Sequence, residues 1–170
     1  TFFNVVSISS TTGFVLTDYD RFPLFSKMLL ILLMLTGGCA GSTAGGLKMN
    51  RILLYAKISL RELVHSFRPN RVFRIRLNGV VQDDSVFLST SFLIALGFAA
   101  TGFSFLAVSA LEPALDLFSV VGTVIGTLWN VGPGFGMVGP TGNFSSLHST
   151  THLLLAFLNP PGRLEFFAIL

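Results

Sequence analysis

Two short strips, "SSTTGF" at residues 9–14 and "NVGPGF" at residues 130–135, carry the residue types best placed to do chemistry. The chemistry would belong to the backbone. A cation that leaves water can be received by rings of peptide carbonyl oxygens standing in for its hydration shell. Aiming successive carbonyls one way needs positive φ, which glycine adopts without steric cost. Laying residues 4–14 over 123–133 sets Gly13 on Gly132 and Thr11-Thr12 on Asn130-Val131. An alternative register sets Gly13 on Gly134 and Phe14 on Phe135. In the first register the candidate coordinating residues are Thr11, Thr12, Gly13, Phe14, Asn130, Val131, Gly132 and Pro133, with the Thr11 and Thr12 hydroxyls as extra oxygens. Either strip alone reads equally well as a plain turn or linker. The pattern they share, an apolar half-helix, a glycine strip and a further apolar helix, speaks against that.

A second glycine-rich stretch, "GGCAGSTAGG" at residues 37–46, interrupts an apolar run midway. Glycine costs about 1 kcal/mol relative to alanine in a helix, so a continuous helix is disfavoured where Gly37, Gly38, Gly41, Gly45 and Gly46 crowd together. The segment, with Ala40, Ser42, Thr43 and Ala44, is expected to unwind. The competing reading is a small-residue packing seam through Gly37, Gly41 and Gly45. Two cations stand nearby in kind. Arg163 sits in an otherwise apolar segment, where a charge needs a cavity or a partner unless it snorkels to the boundary. Lys48 follows the glycine stretch directly and reads equally as a pore-facing charge or an interface anchor.

These strips need elements that bring bare backbone together inside an apolar medium. The chain is 51% hydrophobic and 11% charged, with a mean hydropathy of +0.73, whereas soluble domains are about a quarter charged. Residues 85–111 contain no ionisable side chain, longer than the roughly 20 residues that span a bilayer. Residues 117–162 contain no Asp, Glu, Lys or Arg, only two His. This is the composition of a membrane protein, in which irregular backbone is tolerated only when it is buried in protein or lines a water-filled cavity. Half-length helices leading into glycine strips therefore predict re-entrant pore loops. Eight of the 11 Lys and Arg lie within residues 48–76, which places that linker on the cytoplasmic side and reads against a nucleic-acid patch. Cys39 is the lone cysteine, so there is no disulfide framework. The opening "TFFNVVSIS" lacks the basic flank of a signal peptide, and a start without Met inside an apolar run predicts a fragment.

Other chemistries are weaker. His148 and His152 stand four apart but lack a third metal-ligating partner in sequence and read as structural. "GSTAGGLK" does not have the spacing of a phosphate loop. Ser42, Ser104 and Ser145 have no nearby base; an intramembrane hydrolase using a loop serine with His148 or His152 is one rival reading. A non-transporting membrane scaffold is the other. Asp83, Asp84 and Glu112 read as solvated caps, and Glu112-Pro113 as a turn and a helix start.

Taken together, "SSTTGF", "GGCAGSTAGGLKMNR", "FRIRLNG", "NVGPGFG" and "GRLEFF" resemble the C-terminal half of a Trk/Ktr-type potassium uptake subunit. The resemblance covers nearly the whole chain and implies an all-α integral membrane fold of M1–P–M2 pore-loop repeats. Residues 1–22 would end the pore half-helix and form the filter of a third repeat. Residues 23–66 would be its M2, broken by an intramembrane loop at 37–46, and 67–85 a basic cytoplasmic linker. Residues 86–111 would be M1 of a fourth repeat, 112–146 its pore helix and filter loop, and 147–170 its M2. The resemblance implies K+ as the transported ion and no enzyme activity or cofactor. It implies that residues 37–46 gate the pore, with Arg163 below the filter. It also implies the remaining repeats, a homodimer and a cytosolic nucleotide-binding ring as partners, in a bacterial cytoplasmic membrane. The sequence departs from the family in "LNPPGRLE", where Pro160-Pro161 precede Arg163 and predict a kink.

Overall fold

The computed structural model describes residues 2–38, 45–67, 76–77, 80–81 and 84–163. Six helices carry the fold: α1 (Phe2–Ser9), α2 (Leu24–Leu35), α3 (Met49–Phe67), α4 (Asp84–Leu111), α5 (Leu117–Leu128) and α6 (Ser149–Arg163). The expected all-α architecture needs one addition: a small antiparallel hairpin, β1 (Arg76–Leu77) with β2 (Val80–Val81), lies inside the basic linker.

Sequence chemistry sets the helix ends. Pro23 precedes α2, where its fixed φ and missing N–H do no harm. Asp116 caps α5 by accepting from the Phe118 amide. The expected turn at Glu112-Pro113 follows the end of α4 at Leu111, but the next helix, α5, starts only at Leu117. Glu112 instead accepts from the His148 amide and, at 2.8 Å, from the Thr151 hydroxyl, so it caps α6 across space. Two amide and hydroxyl donors favour the carboxylate and hold its pKa below the usual value. The helix α6 runs through Pro160-Pro161 to Arg163.

Of these helices, only the stretch Leu88–Leu111 in α4 is long and apolar enough to cross a membrane among the described residues. It is not a soluble core helix: only 33% of its window is buried, while Leu88, Phe92, Phe98, Phe103 and Leu106 lie exposed along it. Such a surface is stable against lipid and costly in water. At the centre sits α5, a helix of only 12 residues, of which Ser119, Val120, Gly122, Thr123, Val124, Ile125, Gly126 and Leu128 are buried. It packs against α4, α6 and α2. Burial on almost every face marks it as an interior helix. A short helix enclosed by longer ones can project its C-terminal end into the interior.

One cluster ties the two halves together. Ile8 of α1, Leu30 and Met34 of α2, Tyr19, and Ile125, Leu128, Trp129, Val131 and Phe135 form a single buried core. A second, of Val108, Val120, Val124, Val138, Leu147 and Leu155, closes α4, α5 and α6 around the other side of α5.

Candidate functional site

The glycine strips follow the C-terminal ends of α1 and α5, and their backbones repeat one another bond for bond. After α1, Ser10 N donates to Val6 O, Thr11 N to Ile8 O, and Thr12 N and Gly13 N both to Ser7 O. After α5, Trp129 N donates to Ile125 O, Asn130 N to Thr127 O, and Val131 N and Gly132 N both to Gly126 O. Every donor and acceptor corresponds when Gly13 is laid on Gly132. Backbone dihedrals agree: φ is positive at Thr11 (53°), Gly13 (77°), Asn130 (56°) and Gly132 (103°), and not at Thr12 or Val131. The geometry supports the first register over the one pairing Gly13 with Gly134.

An alternation of left- and right-handed residues turns successive carbonyls toward one side, which an ordinary strand does not do. Glycine makes it easy at the third position. At the first, sequence reasoning missed it. Asparagine is enriched at positive φ, so Asn130 carried a signal; a β-branched residue such as Thr11 is uncommon there and carried none.

The strips also face each other. A methyl built on Gly13 would stand 3.0 Å from Pro133 Cδ and closer still to the Val131 carbonyl oxygen. Gly132 is exposed, with open space where its side chain would be. The threonine hydroxyls have partners of their own. Thr11 Oγ1 accepts from the Gly45 amide at 3.1 Å, and Thr12 Oγ1 shares a 2.8 Å bond with Ser10 Oγ. Each keeps a further lone pair beside that bond.

Side chains that sequence reasoning passed over hold the strips in place. Asn4 is 2% exposed inside α1; its Nδ2 donates to Thr17 O and Thr17 Oγ1 at 3.0 Å, and its Oδ1 accepts from Leu16 N at 3.2 Å. It pins the chain leaving the first strip back onto α1. Tyr19, wholly buried, donates from its hydroxyl to Gly134 O at 2.7 Å and meets the Phe135 ring edge-on at 5.1 Å. Burial first, then the Asp20 and Asp18 charges, push this phenol well above its ordinary pKa, so it remains a donor. Asp20 Oδ2 accepts from Gly136 N at 3.0 Å. The turn after the first strip therefore holds the backbone of the second. Within the second, Ser119 Oγ accepts from Met137 N at 3.0 Å.

Below the strips, α2 stops at Leu35 and α3 begins at Met49. Between them, Thr36 and Leu47 form a parallel bridge, with Gly37 N donating to Leu47 O at 2.8 Å and Leu47 N to Leu35 O at 3.1 Å. Gly37 and Gly45 approach backbone to backbone, which a small-residue seam along one continuous helix would not allow. Ala40, Gly41, Ser42, Thr43 and Ala44 lie outside the described residues; Gly37, Gly38, Gly45 and Gly46 frame the break. Lys48 is 6% exposed at the entrance to α3, a burial that disfavours simple anchoring at a wet interface. Arg163 ends α6, and its side chain lies outside the described part.

Among the described residues no group of three His, Cys, Asp or Glu could hold a metal. His148 and His152 are exposed. Ser104 donates to the Ala100 carbonyl at 2.7 Å within its own helix.

Comparison with known proteins places this geometry. The family model TrkH, described as a cation transport protein, matches residues 1–170. The Trk system potassium uptake protein TrkH of Escherichia coli K12 is 38% identical over 99% of this chain and 34% of its own length. That of Vibrio parahaemolyticus is 35% identical over 99% of this chain and 34% of its own length. The crystal structure of the potassium transporter TrkH from Vibrio parahaemolyticus superposes with a TM-score of 0.87 at 34% identity, covering 98% of this chain and 35% of that one. The chain thus spans about a third of the relatives it matches. These relatives are named as uptake proteins or a transporter, not as enzymes.

Proposed function

The chain belongs to the TrkH family of cation transport proteins, and we propose that it takes part in potassium uptake across the bacterial cytoplasmic membrane, supplying two of the backbone strips of a selectivity filter. The observation that carries this reading is the bond-for-bond repeat of the two strips, with alternating positive φ. An ion entering from outside sheds water onto the carbonyls of Thr11, Thr12, Gly13, Phe14, Asn130, Val131, Gly132 and Pro133. The membrane potential, worth about 2.3 kcal/mol per charge per 100 mV, drives it inward. Residues 37–46 obstruct the path beneath and act as the gate, with Lys48 and Arg163 as charges bordering it. The exposed apolar face of Leu88–Leu111 supports a membrane location.

In this reading α1 and α5 are the pore helices of a third and a fourth M1–P–M2 repeat. The interrupted pair α2–α3, together with α6, are their M2 segments, and α4 is the fourth M1. The first two repeats complete the ring, a second copy of the full protein makes a dimer, and a cytosolic nucleotide-binding ring contacts the basic linker. The test is growth rescue of a potassium-uptake-deficient bacterium by the full-length protein, with Gly13→Ser and Gly132→Ser alongside. Both variants should lose discrimination between rubidium and sodium uptake. Unchanged ratios in both would sink the filter assignment.

A further inference from the structure

The segments that leave the two strips are held in different ways. After the first strip the support is local: Asn4 of α1 accepts from Leu16 N at 3.2 Å and donates to Thr17 O and Thr17 Oγ1 at 3.0 Å. The repeat lays Thr123 of α5 on Asn4, but Thr123 Oγ1 donates to Ser119 O at 2.7 Å, within its own helix. The corresponding support after the second strip comes from the other repeat. Gly136, which the repeat lays on Thr17, donates its amide to Asp20 Oδ2 at 3.0 Å, and the Gly134 carbonyl accepts from the Tyr19 hydroxyl at 2.7 Å.

Both sides of the Asp20 contact are shaped for it. Tyr19–Arg21 is a single 3-10 turn capped by Asp18, whose Oδ1 accepts from Asp20 N at 3.1 Å and whose Oδ2 meets Arg21 Nε at 3.1 Å. Opposite lies buried Gly139, with an ordinary φ of −73°, so the backbone does not demand glycine there. A methyl on Gly139 would overlap the Asp20 carboxylate more closely than any other atom. Residues 16–20 therefore form one short span with two attachments: Asn4 fixes its start, and its end fixes Gly134 and Gly136.

We propose that Asp20 is a positioning residue for the second strip and that Asn4 acts on that strip through it, so that the third repeat sets ion preference in the fourth. The proposal rests on the filter reading above. Peptide planes are stiff, and Gly134 stands two residues beyond Gly132. A shift at Gly134 and Gly136 is therefore carried into the carbonyls of Gly132 and Pro133, where about 0.5 Å is enough to spoil a binding geometry.

The test measures rubidium and sodium uptake by the full-length transporter in potassium-depleted cells. Asp20→Ala removes the acceptor and should lower the rubidium-to-sodium ratio about threefold to tenfold, the factor of one net hydrogen bond. Asp20→Asn keeps an acceptor oxygen and should restore most of the ratio. Asn4→Leu should lower the ratio too, and the Asn4→Leu/Asp20→Ala pair should be no worse than Asn4→Leu alone, because the two residues act in series. Thr17→Val, at an exposed position, removes one of the oxygens that Asn4 binds and should shift the ratio in the same direction where Asn4→Leu accumulates poorly. An unchanged ratio in Asp20→Ala, equal losses in Asp20→Ala and Asp20→Asn, or losses that multiply in the pair would each overturn the proposal, as would an unmoved Thr17→Val. Gly13→Ala, measured alongside, separates the two failures. If it leaves the ratio intact, the filter reading itself has failed; if it changes the ratio while Asp20→Ala does not, only the positioning role has.

Discussion

Replacing Gly13 by alanine should damage ion discrimination more than the same change at Gly132, although the two occupy one position of the repeat. At Gly13, φ is +77° and the new methyl would lie 3.0 Å from Pro133 Cδ, within a forbidden distance of the Val131 oxygen. The left-handed backbone costs a non-glycine residue about 1–2 kcal/mol, and forcing a methyl into filled space typically costs about 1–3 kcal/mol more. The cheapest relief is to push the Val131 carbonyl aside, and binding geometry tolerates only about 0.5 Å of displacement. If a third to a half of that combined cost is released by moving this oxygen, discrimination falls about tenfold, since about 1.4 kcal/mol is a factor of ten. At Gly132 the methyl meets nothing within 4 Å, leaving only a backbone term of about 1–3 kcal/mol and no displaced oxygen. Rubidium and sodium uptake by the full-length protein in potassium-depleted cells measures both. A Gly13→Ala protein with the ordinary ratio, or a Gly132→Ala protein harmed more than Gly13→Ala, would refute the reasoning.

Two other perturbations test the supports of the site. Tyr19→Phe keeps the ring against Phe135 but leaves the buried Gly134 carbonyl without its 2.7 Å donor. It should cost about 1–3 kcal/mol, seen as a lower midpoint in a detergent denaturation series together with weaker ion discrimination; an unmoved midpoint would mean that the bond contributes nothing. Glu112 carries a pKa depressed by the His148 amide and then the Thr151 hydroxyl. A carboxylate whose folded pKa lies below its unfolded one stabilises the fold above the ordinary value of 4.5 and loses that contribution as pH falls through the folded pKa. Glu112→Gln should therefore be less stable than the unaltered protein at neutral pH, with the difference shrinking below pH 4.5; a constant difference across that range would show that the carboxylate charge is not what caps α6.

Much of the site was legible because it depends on residue types that have few other uses. A glycine after a half-length apolar helix, twice, with polar residues before it, gave the register of residues 4–14 on 123–133, which the backbone hydrogen bonds match. Glycine's poor helix propensity placed the break between Leu35 and Met49. What could not be read were contacts between residues far apart in the chain. Tyr19 and Asp20 lie in the turn after the first strip, yet they hold Gly134 and Gly136 more than a hundred positions on. Asn4 looked like an interruption in an apolar run, and no local rule marks an amide that will turn inward to hold Leu16 and Thr17. The partners of the Thr11 and Thr12 hydroxyls, the Gly45 amide and the Ser10 hydroxyl, were equally beyond a local rule.

The two strips separate the work of backbone and side chains. If side chains coordinated the ion, the two strips would need similar ones, and they do not: Thr11-Thr12 stands against Asn130-Val131. What they share is dihedral sign and hydrogen-bond pattern, the properties that fix where peptide oxygens point. Repeats that diverge in sequence can keep one ion-binding surface so long as each retains a residue tolerant of positive φ at the glycine position. The side chains are then released for tasks that differ between repeats: accepting the Gly45 amide in one, and donating to the Asn159 carbonyl of α6 in the other. A substitution that preserves φ but alters the side chain at position 11 or 130 should accordingly leave ion preference in place. One that alters φ at position 13 or 132 should shift it.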